Sequence, residues 1–188
     1  MLMNKLKTTF RPIVGGMVLG LLVLILSTQV SRAKTLSEAL TDIQVRASEE
    51  RLPAPEFQLK DINGNTVSLK DFEGKPLLLY FWATWCTSCK KEMPDFNALY
   101  REFKDKGFVF LAISIREDPA WVQKVAKERG YTLPVLVDET GEVTKKYGAR
   151  GTPSIYLIDR EGKIVASVLG MRSWASKEGR EVFKLMLQ

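Results

Sequence analysis

A chain of 188 residues with 45% hydrophobic content is long enough for one domain of ordinary size, with a few tens of residues left over. The net charge of +6 is concentrated at the start, where residues 1–34 hold Lys5, Lys7, Arg11, Arg32 and Lys34 and no acid. The remainder is close to neutral, which argues against a nucleic-acid partner, and two cysteines with no histidine are too few ligands for an ordinary zinc site.

Twenty uncharged residues lie between Arg11 and Arg32, apolar from Ile13 to Leu26. As a helix they span about 30 Å, one bilayer core, and the basic residues ahead of them keep the start in the cytoplasm. Residues 1–34 are therefore expected to be a membrane anchor that places the domain outside the cytoplasm, in a bacterial periplasm or on the outer face of the plasma membrane. The alternative is a secretory signal cleaved after Ser31-Arg32-Ala33. From 35 to 55 the composition turns polar. Leu36, Ala39, Leu40, Ile43 and Ala47 could form a weak helical stripe, but a spacer is expected, closed by Pro53 and Pro55.

Residues 56–69 read as a β-hairpin turning at Asn63-Gly64-Asn65. Leu77 to Phe81 is an apolar run without alternation, as expected of a strand buried on both faces. After it come Trp85, then Cys86 and Cys89 at C-x-x-C spacing. Met93, Phe96, Leu99, Tyr100 and Phe103 then mark one face of a helix. Gly107 caps that helix, and Phe108–Ile115 is a second buried strand. Asp118-Pro119 opens a helix to about Gly130 with Trp121, Val122, Val125 and Ala126 on its apolar face. Leu133–Val137 is a short strand and Thr140–Tyr147 a short helix. Ser154–Ile158 and Ile164–Leu169 are strands of a second hairpin, and Trp174–Leu187 is the last helix. This order gives an α/β fold, a mixed sheet covered by helices on both faces.

A cysteine pair where a buried strand meets a helix is the pattern of a redox motif. Unpaired N–H groups and the helix dipole favour a thiolate at Cys86, and Lys90 and Lys91 add positive potential. Cys89, three residues on, can attack a mixed disulfide formed by Cys86. A purely structural bridge is disfavoured, because so short a loop removes little unfolded-state entropy. Gly151-Thr152-Pro153 precedes a strand, and an X-Pro bond can adopt cis there at small cost.

With these motifs together, residues 52–175 resemble the thioredoxin superfamily, and within it the TlpA/ResA-like branch of membrane-anchored thiol–disulfide oxidoreductases. The resemblance rests on Pro53-Ala-Pro-Glu-Phe57, Gly74-Lys-Pro76, Phe81-Trp-Ala-Thr-Trp-Cys86-Thr-Ser-Cys89, Glu92-Met-Pro94 and Gly148-Ala-Arg-Gly-Thr-Pro153. Tyr156 to Gly162 and Gly170 to Trp174 add to it. It implies a thioredoxin-like domain over 56–188, with residues 116–148 as the branch's helix-and-strand insert. Cys86 would be the exposed nucleophile and Cys89 the buried resolving thiol. Pro153 would be a cis proline facing the disulfide, with Trp85 and the Thr152 backbone meeting the substrate. The disulfide would serve as the redox group, with no separate cofactor and no metal. Partners would be disulfide-containing proteins and a membrane thiol electron donor.

Two departures stand out. Typical thioredoxins carry a buried Asp six residues before the first cysteine, where this chain has Tyr80. Glu92, on the same helix face as Cys89, is the candidate replacement, weighed against a solvated first-turn Glu. Ser154 follows the proline, where cytochrome-maturation members often have Glu. The expected function is reduction of protein disulfides, including those of c-type cytochrome precursors. The alternatives are a thiol peroxidase, weakened by Ala83 where peroxiredoxins place Thr, and a metal-delivery or scaffolding module.

Overall fold

The run Leu77–Trp82, all of it buried, is an interior strand of a seven-stranded sheet, which covers apolar side chains on both of its faces. The computed structural model describes residues 33–188. In it the strands are β1 (Gln58–Asp61), β2 (Thr66–Ser68), β3 (Leu77–Trp82), β4 (Val109–Ile115), β5 (Val135–Asp138), β6 (Ser154–Ile158) and β7 (Ile164–Leu169). Their order across the sheet is β2-β1-β5-β4-β3-β6-β7. β3, β4 and β5 run parallel, and the flanking pairs are antiparallel. The helices are α1 (Leu36–Asp42), α2 (Thr87–Phe103), α3 (Pro119–Glu128), α4 (Glu142–Lys146) and α5 (Lys177–Met186). The expected mixed α/β sheet with an N-terminal hairpin and a helix–strand insert is the observed fold.

The period of two along β3 divides the core. Leu78, Tyr80 and Trp82 enter one apolar layer with Met93, Phe96 and Phe103 of α2 and Phe183 of α5. Leu77, Leu79 and Phe81 enter the other, with Phe57, Val143 and Tyr147. Truncating any of these aromatics to Ala would cost about 3–5 kcal/mol. The first layer is the deeper in aromatic content, and α2, which carries the cysteine motif, lies in it.

Residues 35–55 are not the expected spacer. Thr35 caps α1 in a reciprocal capping box with Glu38, and Ala39, Leu40, Ile43 and Val45 bury against the first layer. α1 packs on α5. The weak stripe in the sequence was thus a true helical face, too short to outweigh its polar surroundings until α5 supplies the partner surface. Beyond it the chain runs along the outer edge of β7. Bridges pair Ala47 with Ala166 and Pro53 with Lys163, and Ile164 N–H donates to the Leu52 carbonyl at 2.9 Å. The domain therefore begins near residue 34.

Two further expectations shift. The last helix starts at Lys177 with Ser176 as its N-cap, so Trp174 precedes it. Trp174 is fully buried all the same, packed between Phe96 and Phe183. A Cβ on Gly179 would collide with the Ser173 and Trp174 carbonyls, which is why a glycine stands in this helix. Trp121 is half exposed and does not join the apolar face of α3. The anchor expected in residues 1–34 falls almost wholly outside the described residues. Among the described residues no helix is long and apolar enough to cross a membrane.

Candidate active site

β3 ends at Trp82 and three residues later the chain turns into α2, so the cysteine pair sits at the strand's exit as its spacing predicts. Cys86 is the N-cap, with extended backbone angles, and its Sγ accepts from the Cys89 N–H at 3.1 Å. Cys86 and Cys89 form a disulfide with Cα atoms 5.2 Å apart. The free N–H groups of a helix start favour negative charge at the N-cap position that Cys86 holds. Trp85 beside it is 66% exposed, whereas Cys86 is only 5% exposed and Cys89 fully buried. Cys86, expected to be the exposed cysteine, is therefore almost wholly covered.

Glu92 is not a solvated first-turn residue. It is 1% exposed, one helical turn beyond Cys89 in α2. Its Oε1 accepts from the Arg172 backbone N–H at 3.1 Å, while its Oε2 has no hydrogen-bond partner of proper geometry. The Tyr80 hydroxyl, equally unpartnered, stands close enough to favour the charged carboxylate. Burial outweighs both neighbours and pushes the Glu92 carboxyl up to about 7. Burial, and then the Glu92 charge, push the Tyr80 phenol above its ordinary range. Tyr80 occupies the place where a thioredoxin has its buried acid, and here the acid arrives from α2 instead.

The loop carrying Arg172 is tied down from an unexpected quarter. Arg172 Nε donates to the Gln44 carbonyl at 3.1 Å and Nη1 to the Met171 carbonyl at 2.7 Å. Gln44 follows α1 with a left-handed φ of 59°. The segment read as a spacer thus holds the loop that donates to Glu92. Nothing in its composition signals this.

A second set of residues that sequence reasoning passed over fixes the turn before Cys86. Thr84 donates from N (2.8 Å) and from Oγ1 (2.5 Å) to the Glu117 carboxylate, which also accepts from Ser114 Oγ at 2.7 Å. Trp121 Nε1 donates to Thr84 Oγ1 at 3.0 Å, and Arg129 Nη2 to the Thr84 carbonyl at 3.3 Å. Trp121 leaves the apolar face because its indole N–H has this partner. Tethering from Glu117 before α3, Trp121 within it and Arg129 just after it restricts the loop that leads into Cys86.

The Thr152–Pro153 bond is cis. Pro153 and Ser154 are buried, and Ser154 Oγ donates to the Gly151 carbonyl at 2.7 Å. Thr152 and Trp85 line one groove, which brings the two landmarks of the sequence, about 67 residues apart, to a common surface. Cys86, next to Trp85 in the chain, caps α2, and Cys89 and Glu92 follow within its first two turns.

The AhpC/TSA family description matches residues 51–167. The chain is 40% identical over 117 residues to the thiol–disulfide oxidoreductase ResA of Bacillus thuringiensis, covering 62% of this chain and 68% of that one. It is 36% identical over 126 residues to ResA of Bacillus anthracis, covering 67% and 73%. A thioredoxin-family thiol:disulfide interchange protein of Chlorobium tepidum superposes with a TM-score of 0.67 at 28% identity, over 76% of this chain and all of that one.

Proposed function

We propose, from the premise that this chain belongs to the AhpC/TSA family and is a thiol–disulfide oxidoreductase acting on disulfide-containing proteins, that it is an extracytoplasmic reductase. In it Cys86 attacks and Cys89 resolves. The supporting observation is Cys86 at the N-cap of α2 with Cys89 buried a turn deeper and Glu92 buried beyond it.

The Cys86 thiolate attacks one sulfur of a substrate disulfide, and the other substrate sulfur leaves as a thiolate and takes up a proton. A mixed disulfide now joins Cys86 to the substrate. Glu92, its carboxyl pushed up to about 7 by burial, accepts the Cys89 proton. The Cys89 thiolate then attacks Cys86 Sγ, closing the Cys86–Cys89 disulfide and releasing the substrate as a dithiol. Two electrons pass from the protein to the substrate, and no group besides the disulfide is needed. Trp85, Thr152 and Pro153 would border the bound chain. A membrane thiol donor would restore the dithiol, with residues 1–34 holding the domain at the membrane. Substrate cysteines that later bind haem in c-type cytochromes suit this reading. The peroxidase and metal-delivery alternatives are not favoured, because the relatives are thiol–disulfide oxidoreductases and position 83 is Ala.

Direction follows from the reduction potential. Equilibration with glutathione should give a value more reducing than about −180 mV, that of protein disulfide isomerase. A clearly more oxidising value would assign oxidase or isomerase work. Protease added to intact spheroplasts should digest the domain, and full protection would defeat the extracytoplasmic placement. A mature N-terminus at Lys34 would replace the retained anchor with a cleaved signal.

A further inference from the structure

The groove that Trp85 and Thr152 share is strongly basic. Its volume is about 450 Å³, and its lining includes Arg116, Lys145 and Arg150 but no Asp or Glu. All three cations are exposed, and none forms an ion pair among the described residues. The acid next to Arg116, Glu117, is engaged by Thr84 and Ser114, and Glu142, three residues before Lys145, lies outside the lining. This contrasts with the domain as a whole, which is close to neutral.

Arg116 is also held in place at a cost. Its φ of 54° lies in the left-handed region, which a non-glycine residue adopts at about 1–2 kcal/mol. Its backbone N–H donates to the Asp138 carbonyl at 2.9 Å. Its side chain lies across Gly141, where any Cβ would run into the arginine. A strained backbone and a glycine platform together keep one guanidinium at the groove without a protein partner. Apolar surface completes the site. Trp85 is exposed in the lining, and exposed Leu169 sets Cδ1 3.4 Å from where a Cβ on Gly151 would stand.

Resting on the reductase reading above, we infer that this groove selects substrate segments carrying carboxylates beside the disulfide, docking them on Arg116, Lys145 and Arg150 while Trp85 and Leu169 cover the apolar residues between. Rim charges act mainly on the rate of encounter, and salt screens them. The full chain in nonionic detergent, reduced and then mixed with synthetic peptides closed by one Cys-x-x-Cys disulfide, tests this by stopped-flow tryptophan fluorescence. Peptides flanked by three Glu should react about tenfold faster than the same peptides flanked by three Lys at low salt. In 1 M NaCl, where the Debye length is about 3 Å, that ratio should approach one. Combined Arg116→Glu, Lys145→Glu and Arg150→Glu should invert the preference. Uncharged 2-hydroxyethyl disulfide checks the thiol chemistry separately, and loss of reaction with it would indict the reductase reading and not the groove. Equal rates for Glu and Lys peptides at low salt, or a preference indifferent to salt, would overturn the inference even if the triple variant fails to fold.

Discussion

Cys89→Ala should turn the protein into a covalent trap, with substrate proteins joined to Cys86 and visible as reductant-sensitive adducts on non-reducing gels. Cys86→Ala should trap few or none and should show no reductase activity above uncatalysed exchange. The asymmetry follows from the helix start. Cys86 Sγ, at the N-cap, accepts a backbone N–H and sits where the dipole favours a thiolate, whereas Cys89 is fully buried a turn inside α2. Of the two cysteines only Cys86 keeps any exposed surface. A trapped mixed disulfide persists in Cys89→Ala because the second attack has lost its nucleophile. Adducts formed through Cys89 would overturn this order of events.

Glu92→Gln should change both kinetics and the pH dependence of stability. The carboxyl titrates near 7 in the folded protein against 4.5 for a free side chain, chiefly because it is buried. Between those values the native state holds a proton that the unfolded chain has lost, so stability falls as pH rises. The favourable contribution is complete below about 4.5 and gone once pH passes the native value. Over that window wild type should lose roughly 2–4 kcal/mol relative to Glu92→Gln, read from urea midpoints at pH 5 and pH 8. On the mechanism proposed above, that cost accompanies an acid able to accept the Cys89 proton near neutrality. In the variant, release from the mixed disulfide should slow more than the first attack. Parallel stability curves with equal rates in both steps would remove Glu92 from the mechanism.

What the sequence made legible follows from how local each signal is. The run Leu77–Phe81 and the strand pair 154–158 and 164–169 carry their burial in their own composition, and they appear where expected. The cysteine spacing and Thr152-Pro153 are likewise short-range patterns. Glu92 could be singled out by its helical offset from Cys89, but its burial depends on Arg172, eighty residues away, and on Gln44 behind it. Trp121 was misplaced because periodicity cannot see a hydrogen bond to Thr84. α1 reads as spacer in the sequence because its stripe is short and its partner, α5, lies far along the chain.

The strip from Ala47 to Ala54 has a protective consequence. A thiol–disulfide oxidoreductase acting on proteins meets partly unfolded chains, whose exposed strands seek any open sheet edge to join. Along β7 that edge is already occupied by the protein's own backbone at Ala47, Leu52 and Pro53. At the opposite margin β2 offers only three residues, too short a template for lasting β-augmentation. Clients can therefore be gripped at the thiol and let go, without the enzyme seeding their aggregation or being drawn into it.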